Sequence, residues 1–164
     1  LDIGNASNGI AINQNFSTLD LAILNNEIHR CEGTGIISYS PSGIDSLALD
    51  ISDNKISNCQ NMSSNAASGL DIEQYTNLAG SVTNNTLSDN TGIAVVIGST
   101  LPTPTACLTL TGNSSSTDYL LTNPGDGIFN LSPCNVDAVN SGVINTSGTI
   151  TPVQSCPDAT PCPP

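Results

Sequence analysis

The sequence predicts an all-β solenoid, a stack of parallel strands rather than a closed globule. Three observations predict it: a frame that recurs along the chain, a two-residue apolar alternation inside the frame, and a scarcity of helix formers. The frame reads Leu21-x-Ile23-x-x-Asn26-x-Ile28, then Gly35-Ile36. It returns as Leu49-x-Ile51-x-x-Asn54-x-Ile56, then Gly69-Leu70-x-Ile72. A third copy is Gly80-x-Val82-x-x-Asn85-x-Leu87, then Gly92-Ile93-x-Val95, and a fourth is Leu108-x-Leu110-x-x-Asn113-x-Ser115, then Gly127-Ile128. The anchoring asparagines stand 28, 31 and 28 residues apart.

Aligned frames give the core as columns. Leu21, Leu49, Gly80 and Leu108 form one, and Ile23, Ile51, Val82 and Leu110 a second. Ile28, Ile56 and Leu87 form a third, and Ile36, Leu70, Ile93 and Ile128 a fourth. The intervening Ala22, Asp50, Ser81 and Thr109 face outward, because successive strand side chains alternate. One rung cannot bury its own apolar face, whereas stacked rungs make a continuous core. The first residues enter mid-frame, at Gly9-Ile10-x-Ile12, which suggests a processed product or an excised piece of a longer chain.

The asparagine column Asn26, Asn54, Asn85 and Asn113 is expected to be structural. Asn tolerates left-handed backbone angles at a sharp corner. Its carboxamide can also donate to the same group one rung along, forming a ladder. From each anchor Asn to the next frame glycine the distances are 9, 15, 7 and 14, so length varies at the corners and not in the strands. The longer corner segments, 59–68, 99–106 and 114–126, are where a solenoid would carry specificity.

From about Phe129 the frame degrades. The expected division is a β-solenoid over 1–153, with regular rungs over 9–130 and an irregular cap over 131–153, followed by a Pro/Cys-rich tail over 154–164. That tail holds four prolines and two cysteines. A solenoid end must be blunted against edge pairing, and this segment suits that task.

Composition excludes several function classes. Fourteen acidic side chains stand against two basic ones, Arg30 and Lys55, for a net charge of −12. Nucleic acid and anionic membrane surfaces would be repelled. The longest apolar run, Ile93 to Ile97, is only strand-sized, so no insertion into a membrane is expected from this chain. Tryptophan is absent and aromatics make up 3%, which leaves little for stacking on sugars or bases. Seven N-x-S/T sequons, such as those at Asn5, Asn84 and Asn130, are about what so many Asn, Ser and Thr residues generate by chance. Thr109-x-Thr111 and Thr149-x-Thr151 do not extend into a threonine array across the rungs.

Six cysteines, Cys31, Cys59, Cys107, Cys134, Cys156 and Cys162, form an even set with no zinc-like spacing. Cys31 and Cys59 share one offset in successive frames, so stacking sets them about 4.8 Å apart. A disulfide accepts Cα separations of roughly 4.4–6.8 Å. A Cys31–Cys59 disulfide is therefore expected, and with it an oxidising, extracellular or cell-surface location. The alternative is two buried free thiols in a packed column. With Cys31 bonded to Cys59, Cys156 and Cys162 could close a small loop, which leaves Cys107 and Cys134 as the third pair.

The combined motif, over roughly residues 9 to 130, resembles the right-handed parallel β-helix repeat family. That family includes long secreted and cell-surface proteins of bacteria, among them autotransporter passenger domains, which share a shape with pectate lyases. The resemblance implies a right-handed parallel β-helix of about four to five rungs. It does not select an activity, because the family holds lyases, hydrolases, adhesins and tailspikes.

The resemblance implies that an enzymatic site would be either clustered aspartates, as in the family's hydrolases, or calcium-binding carboxylates with a basic Arg or Lys, as in its lyases. The richest candidate is Asp50, Asp53 and Lys55, with Glu27, His29 and Arg30 one rung earlier. Glycoside chemistry needs two carboxylates about 5–9.5 Å apart. The duller reading makes Glu27 and Lys55 a cross-rung ion pair on a solvated edge, where such pairs contribute about 0–1 kcal/mol. No cofactor is expected, and a lone histidine gives no zinc set. For Ca²⁺ the candidates are Asp50-x-x-Asp53-Asn54 and the segment from Asp118 to Asp126, neither with EF-hand spacing. The expected role is a non-catalytic structural or adhesive segment whose partners are glycans or protein, including copies of itself or a neighbouring surface. The alternatives are a fibre subunit stacking head-to-tail and a carbohydrate-active β-helix acting as polysaccharide lyase or hydrolase.

Overall fold

The computed structural model of the protein describes residues 1–4, 7–14, 18–40, 46–59, 69–74, 77–90, 93–97, 105–123, 127–156 and 162. Gly92, the corner segments 60–68, 98–104 and 124–126, and most of the tail beyond Cys156 lie outside these residues. The strands come in triples. They are β1 (Asp2–Gly4), β2 (Ile10–Asn13) and β3 (Leu19–Leu24), then β4 (Glu27–His29), β5 (Ile36–Ser40) and β6 (Ser46–Ser52). Next come β7 (Lys55–Ser57), β8 (Leu70–Gln74) and β9 (Asn77–Thr83), then β10 (Thr86–Ser88), β11 (Ile93–Ile97) and β12 (Thr105–Thr111). The series ends with β13 (Ser114–Ser115), β14 (Tyr119–Asn123), β15 (Ile128–Ser132), a short helix α1 (Val136–Val139), β16 (Ile144–Gly148) and β17 (Ile150–Pro152).

Like members of the triples pair in parallel and make three sheets. The first runs β1-β4-β7-β10-β13, the second β2-β5-β8-β11-β14-β16, and the third β3-β6-β9-β12-β15-β17. The result is a parallel β-solenoid of about four turns. In register, Leu21 meets Leu49, Gly80, Leu108 and Leu131, and Ile23 meets Ile51, Val82 and Leu110. Ile3, Ile28, Ile56 and Leu87 stack along the first sheet. Three of the expected columns are therefore present with the expected members.

The fourth column needs one correction. Ile36, Leu70 and Ile93 are joined by Tyr119, whereas Ile128 belongs to the third sheet opposite Thr105 and is 51% exposed. In that rung the corner after Asn113 closes quickly, and Asp118 precedes the strand where the earlier frames have glycine. The aromatic ring fits because the Tyr119 hydroxyl donates to the carbonyls of Asn113 and Ser141. A buried tyrosine needs such an acceptor for its polar end.

Glycine is needed at the corner entering the second sheet because rungs touch there. A Cβ on Gly35 would meet the Ile56 side chain and lie 2.7 Å from the Gly69 carbonyl oxygen, and one on Gly9 would meet the Gly35 carbonyl oxygen and Ile28. The expected cap over 131–153 is half rung. β16 and β17 continue two sheets, while α1 and a Ser114–Ser141 bridge replace the third strand.

Candidate functional site

The corner between the third and first sheets holds the asparagine ladder. Asn26 donates through both its backbone N–H and its Nδ2 to Asn54 Oδ1, at 3.0 and 2.9 Å. Asn54 does the same to Asn85, Asn85 to Asn113, and Asn113 to Asn140. Each Nδ2 beyond the first also reaches back to the rung before it: Asn54 to the Ile23 carbonyl, Asn85 to Ile51 and Asn113 to Val82. Asn140 had no signal in the frame, because α1 stands where an L-x-I strand would precede it. One reason offered for the ladder is corrected. The left-handed residues are those just before it, Asn25, Asp53, Asn84 and Gly112, with φ of 55° to 68°. The ladder asparagines serve through hydrogen bonds, and the turn is made by their predecessors.

That finding also explains Asp53. Its φ of 57° places it among the corner formers, exposed to solvent. Asp50 lies on the outer face of β6 and accepts from Ser81 Oγ at 2.9 Å. It helps line a shallow trough of about 300 Å³ on the outside of the third sheet, with Asp20, Ala48, Ala79, Ser81 and Cys156. Neither Asp53 nor the 27–30 corner lines that trough, so the candidate cluster does not meet there.

Glu27 and Lys55 are direct neighbours across β4 and β7, as expected. They make no ion pair, because two long solvated side chains gain too little from closing onto each other. His29 Nε2 instead hydrogen-bonds Asp2 Oδ1 at 2.9 Å. Arg30 Nε donates to His29 Nδ1 at 3.0 Å, so Nε2 carries the proton given to Asp2. Among the described residues no three His, Cys, Asp or Glu side chains converge as metal ligands. Asp118 accepts from Asn145 Nδ2 at 3.1 Å, and Asp126 lies outside the described residues.

The cysteine pairing is corrected. Cys107 bonds Cys156 and Cys134 bonds Cys162, with Cα separations of 5.7 and 5.6 Å. Cys31 and Cys59 are free and buried. In a parallel stack both Cα–Cβ bonds point the same way into the core, whereas a disulfide needs its sulfurs turned toward each other. The Cys59 sulfur lies beside the Cys31 thiol and 3.7 Å from the Ser57 carbonyl, with no bond between the sulfurs. Burial, with the neighbouring Cys31 thiol adding to it, pushes Cys59 up to about 12, so the thiolate that would attack is absent at neutral pH.

One carboxylate pair carried no signal in the sequence. Asp71 and Glu73 alternate with the buried Leu70, Ile72 and Gln74 of β8, on the outer face of the second sheet. Burial, and then the charge of Glu73, raise Asp71 to about 6. In the sequence they were merely the polar half of an apolar alternation.

No protein-family model, curated protein or solved structure matches this chain. Among the described residues no helix is long and apolar enough to cross a membrane, and the two disulfides are compatible with an extracellular protein.

Proposed function

We propose that this chain is a non-catalytic structural and adhesive segment of a secreted or cell-surface protein, a short stiff rod. The observation that carries this reading is the ladder from Asn26 to Asn140, in which each corner between the third and first sheets is tied to the next by two hydrogen bonds. Such cross-ties resist sliding of one rung over another, which is what a load-bearing stalk requires. Disulfides at the far end suit an oxidising, extracellular compartment. The resemblance of the frame to right-handed parallel β-helix proteins of bacterial surfaces points the same way. Outward faces of Asn, Ser and Thr suit weak, repeated contacts with glycans or a protein surface. Single-molecule pulling tests the rod: high-force cooperative rupture is expected, and low-force uncoiling rung by rung would overturn the reading.

Asp71 and Glu73 favour a second reading, a carbohydrate-active β-helix. Two residues along one strand face set the carboxyls about 7 Å apart, within the range glycosidases use. A carboxyl raised to about 6 is suited to donating a proton. A panel of neutral and acidic polysaccharides decides between the readings. Turnover lost in both Asp71→Asn and Glu73→Gln supports the second, and no turnover removes it.

A further inference from the structure

Inside the solenoid, where the second sheet turns toward the third, one buried carboxamide is only half satisfied. Gln74 is the last residue of β8, points inward and is 0% exposed. Its Nε2 donates to Ser38 Oγ, one rung back, at 3.0 Å. Its Oε1 is buried and has no hydrogen-bond partner among the described residues. The Ser38 hydroxyl, equally buried, has no acceptor for its own proton among them. Buried polar groups nearly always have a partner, either protein or ordered water. Exchanging the oxygen and nitrogen of the carboxamide would only move the orphan to its other end.

The register explains why this carboxamide is short of a partner. Asn54 and Asn85 satisfy one another because carboxamides stand on successive rungs. The register neighbours of Gln74 are Ser40 and Ile97, and neither carries a carboxamide. The adjacent inward column reads Ile12, Ser38, Ile72, Val95 and Leu121, so one serine stands among branched aliphatic residues. Ser38 therefore leaves room beside Gln74 that an isoleucine would fill. Asn123 Oδ1 is also a buried orphan, but on that strand Leu121 occupies the position that Ser38 holds on β5.

We infer that Ser38 and Gln74 form a binding site for one buried water molecule. The water accepts the Ser38 hydroxyl proton and donates one of its own to Gln74 Oε1. Nε2 and Oε1 share one carbon, so Oε1 lies near enough to Ser38 Oγ for a single water to span them. A buried water needs about 10–15 Å³ and two to four polar partners. The ligands are neutral oxygens, and Asp71 and Glu73 alternate to the outer face of the same strand. A cation there would lack charge compensation from β8, so water is the favoured occupant. Bound in this way, the water ties the second rung to the third, as the asparagines do directly at their own corner.

Water ¹⁷O relaxation dispersion tests the site in solution, because exchanging hydroxyl protons do not enter it. The parent chain should show long-lived water. The double variant Ser38→Val with Gln74→Leu removes both polar groups and fills the space, and it should show one long-lived water fewer. A high-resolution crystal structure of the parent chain decides the matter even if that variant does not fold. Density for a water within about 3.2 Å of both Ser38 Oγ and Gln74 Oε1 is expected. No long-lived water in the parent, an unchanged count in the folded variant, no density between the two atoms, or a cation there overturns the inference.

Discussion

Asn54 donates both its backbone N–H and its side-chain Nδ2 to a single atom, Asn85 Oδ1, at 3.0 and 2.9 Å. Asn85 in turn donates to the Ile51 carbonyl, so one fully buried carboxamide serves three groups on the neighbouring rung. Replacing it strands those groups without water, and each buried orphan costs about 1–3 kcal/mol. Asn85→Ala should therefore cost about 3 kcal/mol or more by urea denaturation. Asn26→Ala, at the half-buried end of the ladder, should cost about 1 kcal/mol. Equal losses at the two positions would show that the ladder is not the source.

The free cysteines give a second test. Cys31 and Cys59 are 3% and 0% exposed, and Cys59 is pushed up to about 12. A thiol reagent at neutral pH should find no reactive thiol in the folded protein and two after unfolding in denaturant. Mass spectrometry of the blocked chain should then assign the disulfides as Cys107–Cys156 and Cys134–Cys162. A Cys31–Cys59 peptide would contradict the packing described.

Asp71 sets a pH dependence whose sign is unusual for a carboxylate. Its folded value of about 6 lies above the ordinary 3.8, so between these values the folded chain holds more protons than the unfolded one. Its contribution to stability therefore falls as pH rises from about 4 to about 6. Asp71→Asn should be more stable than the parent at pH 7 and should lose that part of the pH dependence. Urea midpoints at pH 4 and pH 7 measure both effects, and a variant less stable at pH 7 would contradict the assignment.

Gly35 tests how closely the rungs pack. A methyl group there meets the Ile56 side chain and the Gly69 carbonyl, and a backbone carbonyl cannot swing aside. Gly35→Ala should cost about 1–3 kcal/mol, the usual range for overpacking. A neutral substitution would mean the corner is looser than described.

The columns were legible in the sequence because stacking forces like residues to recur at like offsets, as Leu21, Leu49 and Leu108 do. Tyr119 was missed because the frame was traced through glycine, and Asp118 breaks that signal where the corner is short. Asn140 was missed for the opposite reason, since its side chain keeps the ladder while its preceding segment leaves the strand conformation. The disulfide partners were not legible either. Spacing records the offset of Cys31 and Cys59, but it does not record the reach of the tail back to Cys107 and Cys134. Asp71 and Glu73 looked like any outward pair in an alternating strand, and only burial at the centre of a sheet distinguishes them.

Native-state hydrogen exchange at the backbone amides of Asn54, Asn85 and Asn113 tests the ladder-locked solenoid most directly. Exchange only through global unfolding, as slow as the core strands β6 and β9, is the expected result. Exchange at the rate of an unprotected amide would contradict it, because the corners would then open independently and the rungs would not form one rod.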